Sequence, residues 1–233
     1  DIVDPNNADY EACDDANDVG GDGCLACAID TSYEWIDIAA GSYDIGDQST
    51  EANTKPNQTI TLPAFVASKT EVTVAQYEEC VNAGGCTEPA VRLSAGCNWG
   101  RPGAETHPMN CLNILESEIF AIWLNIQYQD INIRLPSEAE WEYVAKAGKN
   151  YLYSGSNSLD DIAWYYNNSG METHSIKQKK ANDWGLYDLT GNLWEWCWDW
   201  VGPYEEGRAS DPVGPSQGKG RVFRGGSWAI DEN

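Results

Sequence analysis

The chain has 233 residues, 42% of them hydrophobic, with 11 Trp and 12 Tyr against 3 Phe and 2 Met. That is enough apolar mass for one large domain with an aromatic-rich core, and it excludes global disorder. A formal charge of −23, from 37 acids and 14 bases, repels phosphate backbones and anionic headgroups, which makes nucleic acid and bilayer surfaces poor partners; no nucleic-acid partner is expected. No apolar run approaches transmembrane length.

Within the first 30 residues the stretch Cys13–Cys27 packs Asp, Asn, Gly and Cys, with Val19 and Leu25 its only large apolar side chains. Crosslinks or a cation must hold such a segment, because it has no core of its own. It is not an EF-hand: counting from Asp15, Val19 and Ala26 stand where oxygen ligands are needed. From Glu34 the texture changes. Tyr33–Ile38 alternates and leads through Ala39-Ala40-Gly41 into Ser42–Gly46, which predicts a β-hairpin. Thr59–Val66 predicts a strand demoted toward an edge by Pro63. Thr73 and Gln76 form a capping box that opens a helix through Val81, with Val74, Tyr77 and Val81 on one face. A second helix is predicted over 115–126, burying Ile119, Ile122, Trp123 and Ile126. Ile131–Arg134 predicts a short strand. The capping box Ser137/Glu140 then starts a third helix that presents Trp141, Val144 and Ala145 and closes at Gly148. A Trp-rich segment, Gly191–Trp200, and a strand over 221–228 complete the chain. A few helices among many short strands and loops make the fold class α+β.

Eight cysteines lie at positions 13, 24, 27, 80, 86, 97, 111 and 197, and the only histidines are His107 and His174. Cys24 and Cys27 have no second pair or histidine nearby to complete a zinc site. Disulfides in an exported protein are the better reading. Residue 1 is Asp rather than Met, in keeping with a mature, secreted chain freed of its signal peptide. Among Cys80, Cys86, Cys97 and Cys111 three pairings are possible. The pairs 80–86 and 97–111 are expected, since short loops close most easily.

Several blocks occur in one order: Ile36–Gly46, Lys69–Tyr77, Arg134–Tyr143, Trp184–Trp196 and Arg221–Trp228. Together they resemble the formylglycine-generating-enzyme, or sulfatase-modifying-factor, family over residues 34–233. Residues 1–33, with Cys13, Cys24 and Cys27, resemble the cysteine-rich repeat of myxobacterial secreted proteins. The family resemblance implies a loop-rich variant of the C-type lectin fold, stabilised by calcium. Carried over residue by residue, it implies calcium ligands from the side chains of Asp188 and Glu195 and the carbonyls of Gly191 and Leu193. Two hard anionic oxygens and two carbonyls within eight residues suit calcium. A second family calcium site would fall around 163–180, where Lys177, Lys179 and Lys180 make the match poor.

The resemblance also implies a place for catalysis, and there the sequence departs. The family's oxygen-activating enzymes carry a cysteine three residues after the Ser of the Gly-Gly-Ser-Trp/Tyr motif, then a histidine, and a second cysteine beyond. After Ser227 these places hold Ile230 and Asp231, and the second cysteine position lies past Asn233, where the family domain is expected to continue. Copper activation of oxygen needs soft sulfur, so no copper and no catalytic residue is expected, with Arg224 and Ser227 lining at most a vestigial pocket. Cys197 is either a buried thiol or the partner of a cysteine further on. The expected function is a non-catalytic, calcium-stabilised domain for adhesion or extracellular assembly, contacting a protein or carbohydrate ligand or other copies of itself. The alternatives are an enzyme of the same superfamily with non-standard chemistry and a lectin-like variable receptor.

Overall fold

A computed structural model describes residues 33–46, 58–90, 96–128, 132–202 and 210–231. The chain divides into two units, Asp1–Glu34 and Trp35–Asn233. Cys13, Cys24 and Cys27 lie outside the described residues.

Four short strands open the second unit: β1 (Trp35–Ile38), β2 (Gly41–Ile45), β3 (Gln58–Leu62) and β4 (Phe65–Ser68). β1 and β2 do not form the hairpin expected from the sequence. β1 pairs antiparallel with β4, Trp35 opposite Ser68, and β2 pairs antiparallel with β3, Gly41 opposite Leu62. The link Ala39-Ala40 has no positive-φ residue, which a two-residue hairpin turn requires. Pro63 splits the single expected strand into β3 and β4, and each half takes a different partner.

Four helices follow: α1 (Val74–Asn82), α2 (Ile114–Gln127), α3 (Glu138–Lys146) and the single turn α4 (Leu159–Ile162). The capping boxes of α1 and α3 are formed as expected, Thr73 with Gln76 and Ser137 with Glu140, and α2 has a third, Asn113 with Glu116. Each satisfies two N–H groups that the first turn leaves without partners. α3 ends on Ala147 and Gly148, both left-handed.

α2 is turned differently from the expectation. It buries Glu116, Phe120, Ala121, Trp123 and Leu124, while Ile119, Ile122 and Ile126 face out. Its aromatic side wins because it has a place to go: Phe120 stacks on Tyr77 of α1 at 5.6 Å. Gly85 leaves room for Trp123, whose ring would lie 2.1 Å from any Cβ at that position. The helix is apolar on nearly every side, so periodicity alone could not choose. The expected strand before α3 is absent from 132–134, because both backbone groups of Ile133 are held by the side-chain amide of Asn125 at 2.5 Å.

The core gathers around α3. Ile38, Ile45, Ile60 and Leu62 of the ribbons meet Trp141, Val144 and Ala145, and Leu186, Leu189, Cys197 and Val222 close the far side. Trimming a fully buried Ile60 or Leu62 to Ala would cost about 2–5 kcal/mol. β5 (Glu195–Trp200) and β6 (Arg221–Arg224) form a third antiparallel ribbon. The strand expected over 221–228 ends at Arg224, since Gly225 and Gly226 both have positive φ. Among the described residues the disulfides are Cys80–Cys86 and Cys97–Cys111, as expected, and Cys197 is a buried free thiol. The result is α+β, with short ribbons and long ordered loops.

Candidate functional site

The loop from Asp188 to Glu195 leads from the core into β5. Asp188, Gly191 and Asn192 have φ of 59°, 81° and 54°, so the chain folds back on itself within five residues. Gly191 is pressed against the backbone of Trp164, whose oxygen would lie 2.4 Å from a Cβ there. Only glycine fits that approach. The loop is pinned from three directions: Gly191 N–H donates to Gly225 O at 2.9 Å, Asn192 N–H to Trp164 O at 2.7 Å, and Trp228 N–H to Asn192 O at 2.9 Å. The fully buried Asn192 side chain accepts from His174 N–H at 3.0 Å and donates to Glu71 at 2.8 Å.

Two of the four expected calcium ligands supply carboxylates, and both are drawn inward. Asp188 accepts the Lys177 N–H at 2.8 Å through one oxygen, and Glu195 accepts the indole N–H of Trp141 at 3.0 Å through one of its own. The other two, Gly191 and Leu193, have carbonyls that accept no backbone N–H among the described residues. A third acid enters that the sequence reading did not single out. Glu71 accepts Asn192 Nδ2 and the Leu193 N–H, at 2.8 and 3.0 Å.

The electrostatics of these acids are unfavourable when all three are ionised. Burial pushes the Glu71 carboxyl well above the usual carboxylate range, and the neighbouring charges of Asp188 and Glu195 push it further. Glu195 is pushed up to about 7, mainly by burial, against the lowering effect of the Trp141 bond. Burial raises Asp188 as well. Among the described residues, no Lys or Arg is among the main influences on the three. Like-charged buried carboxylates of this kind either hold protons or face a positive ion. Among the described residues no three His, Cys, Asp or Glu side chains converge as a metal centre on their own. A cation here would therefore need backbone oxygens too, which fits a hard, carbonyl-tolerant ion and the mixed ligand set expected from the sequence.

Glu71 was missed because it lies 117 residues before Asp188 and has no local pattern of its own. Its only signal was membership of the Lys69–Tyr77 block.

The residues expected to line a vestigial pocket are engaged in the framework. Arg224 pairs with Glu138 at 2.9 Å and Glu142 at 3.2 Å, and its guanidinium lies over Trp141. Ser227 is buried and its Oγ accepts the Ala229 N–H at 3.4 Å. Ile230 is 43% exposed; its carbonyl accepts the Tyr166 N–H at 3.0 Å. Asp231 accepts from Asn167 at 3.4 Å. Burial raises the Cys197 thiol far above its ordinary value, so it is neither a ready nucleophile nor a ready metal ligand.

Residues 28–233 match the family model described as the sulfatase-modifying factor enzyme 1-like domain. The formylglycine-generating enzyme of Streptomyces coelicolor is 27% identical over 85% of this chain and 79% of its own length. The serine/threonine-protein kinase Pkn1 of Chlamydia trachomatis is 31% identical over 84% of this chain, which spans only 33% of that relative. The chaperone protein LppX of Paenibacillus barcinonensis is 38% identical over 43% of this chain and 40% of its own length. Among solved structures, Treponema denticola variable protein 1 superposes with a TM-score of 0.71 at 31% identity, covering 85% of each chain. PvdO from Pseudomonas aeruginosa has the same fold, with a TM-score of 0.66 at 24% identity over 83% of this chain and 82% of its own.

Proposed function

The chain belongs to the sulfatase-modifying-factor (formylglycine-generating-enzyme) family, and from that premise we propose that it is a non-catalytic, calcium-stabilised binding or assembly domain of a secreted protein. The observation that carries the calcium reading is the set of inward-drawn carboxylates Glu71, Asp188 and Glu195, of which Asp188 is fully buried, and among the described residues no positive group is paired with them. Asp188 and Glu195, with the carbonyls of Gly191 and Leu193, would hold the ion. Glu71 would fix the loop by binding Asn192 and Leu193 and add negative charge behind it. Bound calcium supplies structural crosslinking and charge neutralisation, and no reaction step is assigned to it.

The non-catalytic reading is supported by Ile230, a hydrocarbon side chain in the place where the family's enzymes carry a cysteine. The two disulfides suit a compartment outside the cytoplasm, and among the described residues no helix is long and apolar enough to cross a membrane. Exposed Trp194 and Trp198 are of the residue type that carries contact surfaces for protein or carbohydrate. The likeness to Treponema denticola variable protein 1 supports a second reading, a lectin-like variable receptor. The two readings share the calcium site. Calcium-dependent melting of the purified chain, compared with a Glu195→Gln variant, tests that site; the absence of any calcium response would remove it.

A further inference from the structure

Helix α2 carries an apolar stripe on its outer side. Leu115, Ile119, Ile122 and Ile126 are 64%, 45%, 58% and 64% exposed. Their 4-3-4 spacing places them in one line, the spacing of the seam in a two-stranded coiled coil. The line runs about 16 Å along the helix. The packed side of α2 already satisfies the core, so this second apolar side has no role within the described fold.

The stripe is also free of charge, in a chain that carries −23. α2 has two acids, and neither joins the stripe. Glu116 is buried and holds the N–H groups of Ala90 and Asn113. Glu118 lies 3.8 Å from Arg221 of β6. Arg221 in turn lies over the rings of Trp198 and Trp200. The register of the ribbon puts Phe223 opposite Trp196, and exposed Trp198 and Phe223 add apolar rings on the ribbon that the Glu118–Arg221 pair joins to the helix.

We propose that this surface is a self-association site, at which a second copy of the chain docks α2 antiparallel against α2 about a twofold axis. The proposal rests on the assembly reading above and names its partner. A twofold contact uses one patch twice and so requires a self-complementary surface, which an uncharged row of Leu and Ile provides. A saccharide would find no hydrogen-bonding side chain along the stripe. A basic partner would find beside it only Glu118, which already faces Arg221 at 3.8 Å. Elsewhere two copies of so acidic a chain repel each other; along the stripe the flanking acid, Glu118, lies 3.8 Å from Arg221, which offsets its charge. The four stripe residues expose on the order of 400 Å², within the roughly 300–600 Å² of the largest apolar patch on a typical monomer, which is often functional. Trp198 and Phe223 extend it toward the ~800 Å² that each partner contributes to a standard interface.

Sedimentation velocity on the intact chain, from micromolar to hundred-micromolar concentration, tests this. The expected result is a monomer–dimer equilibrium that tightens as salt is raised, because screening relieves the repulsion between two acidic copies. The double variant Ile119→Glu/Ile122→Glu should weaken association at least about a hundredfold, the effect of removing two buried isoleucines. Leu152→Glu, which adds acid on the exposed loop between α3 and α4, should leave the dimer in place. Near-UV circular dichroism and the calcium-dependent melting shift should be unchanged in all variants, so loss of the dimer is read separately from loss of the fold or of the calcium site. A wild-type chain that stays monomeric throughout would overturn the proposal. So would a double variant that dimerises like wild type, or equal dissociation by Leu152→Glu.

Discussion

Glu71 holds the backbone N–H of Leu193 at 3.0 Å across 122 residues of chain. With its other oxygen on Asn192, this one carboxylate ties the segment before α1 to the loop that carries Asp188, Gly191, Leu193 and Glu195. It brings a third negative charge against two others, and the loop geometry depends on it. The fold thus spends stability to gather acids at one point, which is a reason to look there for a cation rather than on the acidic surface.

Gly191→Ala should destabilise the protein by more than about 2 kcal/mol. A Cβ at this position meets Trp164 O at 2.4 Å and the residue has φ of +81°, so the change combines overpacking with left-handed backbone strain. Denaturant unfolding in saturating calcium measures it; a loss within a few tenths of a kcal/mol would mean that the loop does not approach Trp164 this closely.

Calcium-free protein should lose stability as the pH rises from about 4.5 to about 7. In that window folded Glu195, pushed up to about 7 from its ordinary 4.5, still holds a proton that the unfolded chain has released. Stability from this group is complete below the window and lost above it, amounting to on the order of 3 kcal/mol. Calcium should offset the loss at neutral pH, because it binds the ionised form. Melting temperatures in chelator across this range test the sign; a Tm that rises through the window would reverse it.

Cys80, Cys86, Cys97 and Cys111 should resist alkylation in the native protein and map as two bridged peptides, 80–86 and 97–111. Reducing the larger bridge, whose cysteines are 14 residues apart, should cost roughly 3 kcal/mol. Cys197 should alkylate only on unfolding. Four reactive thiols at the other positions would remove both the pairing and the inference of an oxidising compartment.

No aldehyde should form when the protein is incubated aerobically with a sulfatase-type cysteine peptide, copper and a reductant. Ile230 offers no thiolate, and Asp231 is a hard anion poorly matched to Cu(I). Turnover that disappears in a Ser227→Ala variant would show that this region works by another route.

Much of the fold was legible where sequence signals were local. The capping boxes at Thr73 and Ser137, the αL stop after α3 and the two short disulfide loops all follow from neighbouring residues. Decisions that depended on distant partners were not legible. β1 pairs with β4 instead of β2, and α2 buries Phe120 and Trp123 instead of Ile119 and Ile122, because the competing surfaces come from elsewhere in the chain. The same limit applied to the site. Asp188 through Glu195 stood out as one segment, whereas Glu71 joined it only through tertiary contact.

The most direct test of a calcium-stabilised site is the melting temperature of the chelated chain as calcium is added, for wild type and Glu195→Gln in parallel, with bound metal counted by elemental analysis. Calcium should raise the wild-type Tm in a concentration-dependent way, as expected for an ion that binds only the folded state. The variant, relieved of one buried charge, should be at least as stable in chelator yet gain nothing from calcium. A wild-type chain that binds no calcium and melts at the same temperature with and without it would contradict the assignment of Asp188, Gly191, Leu193 and Glu195.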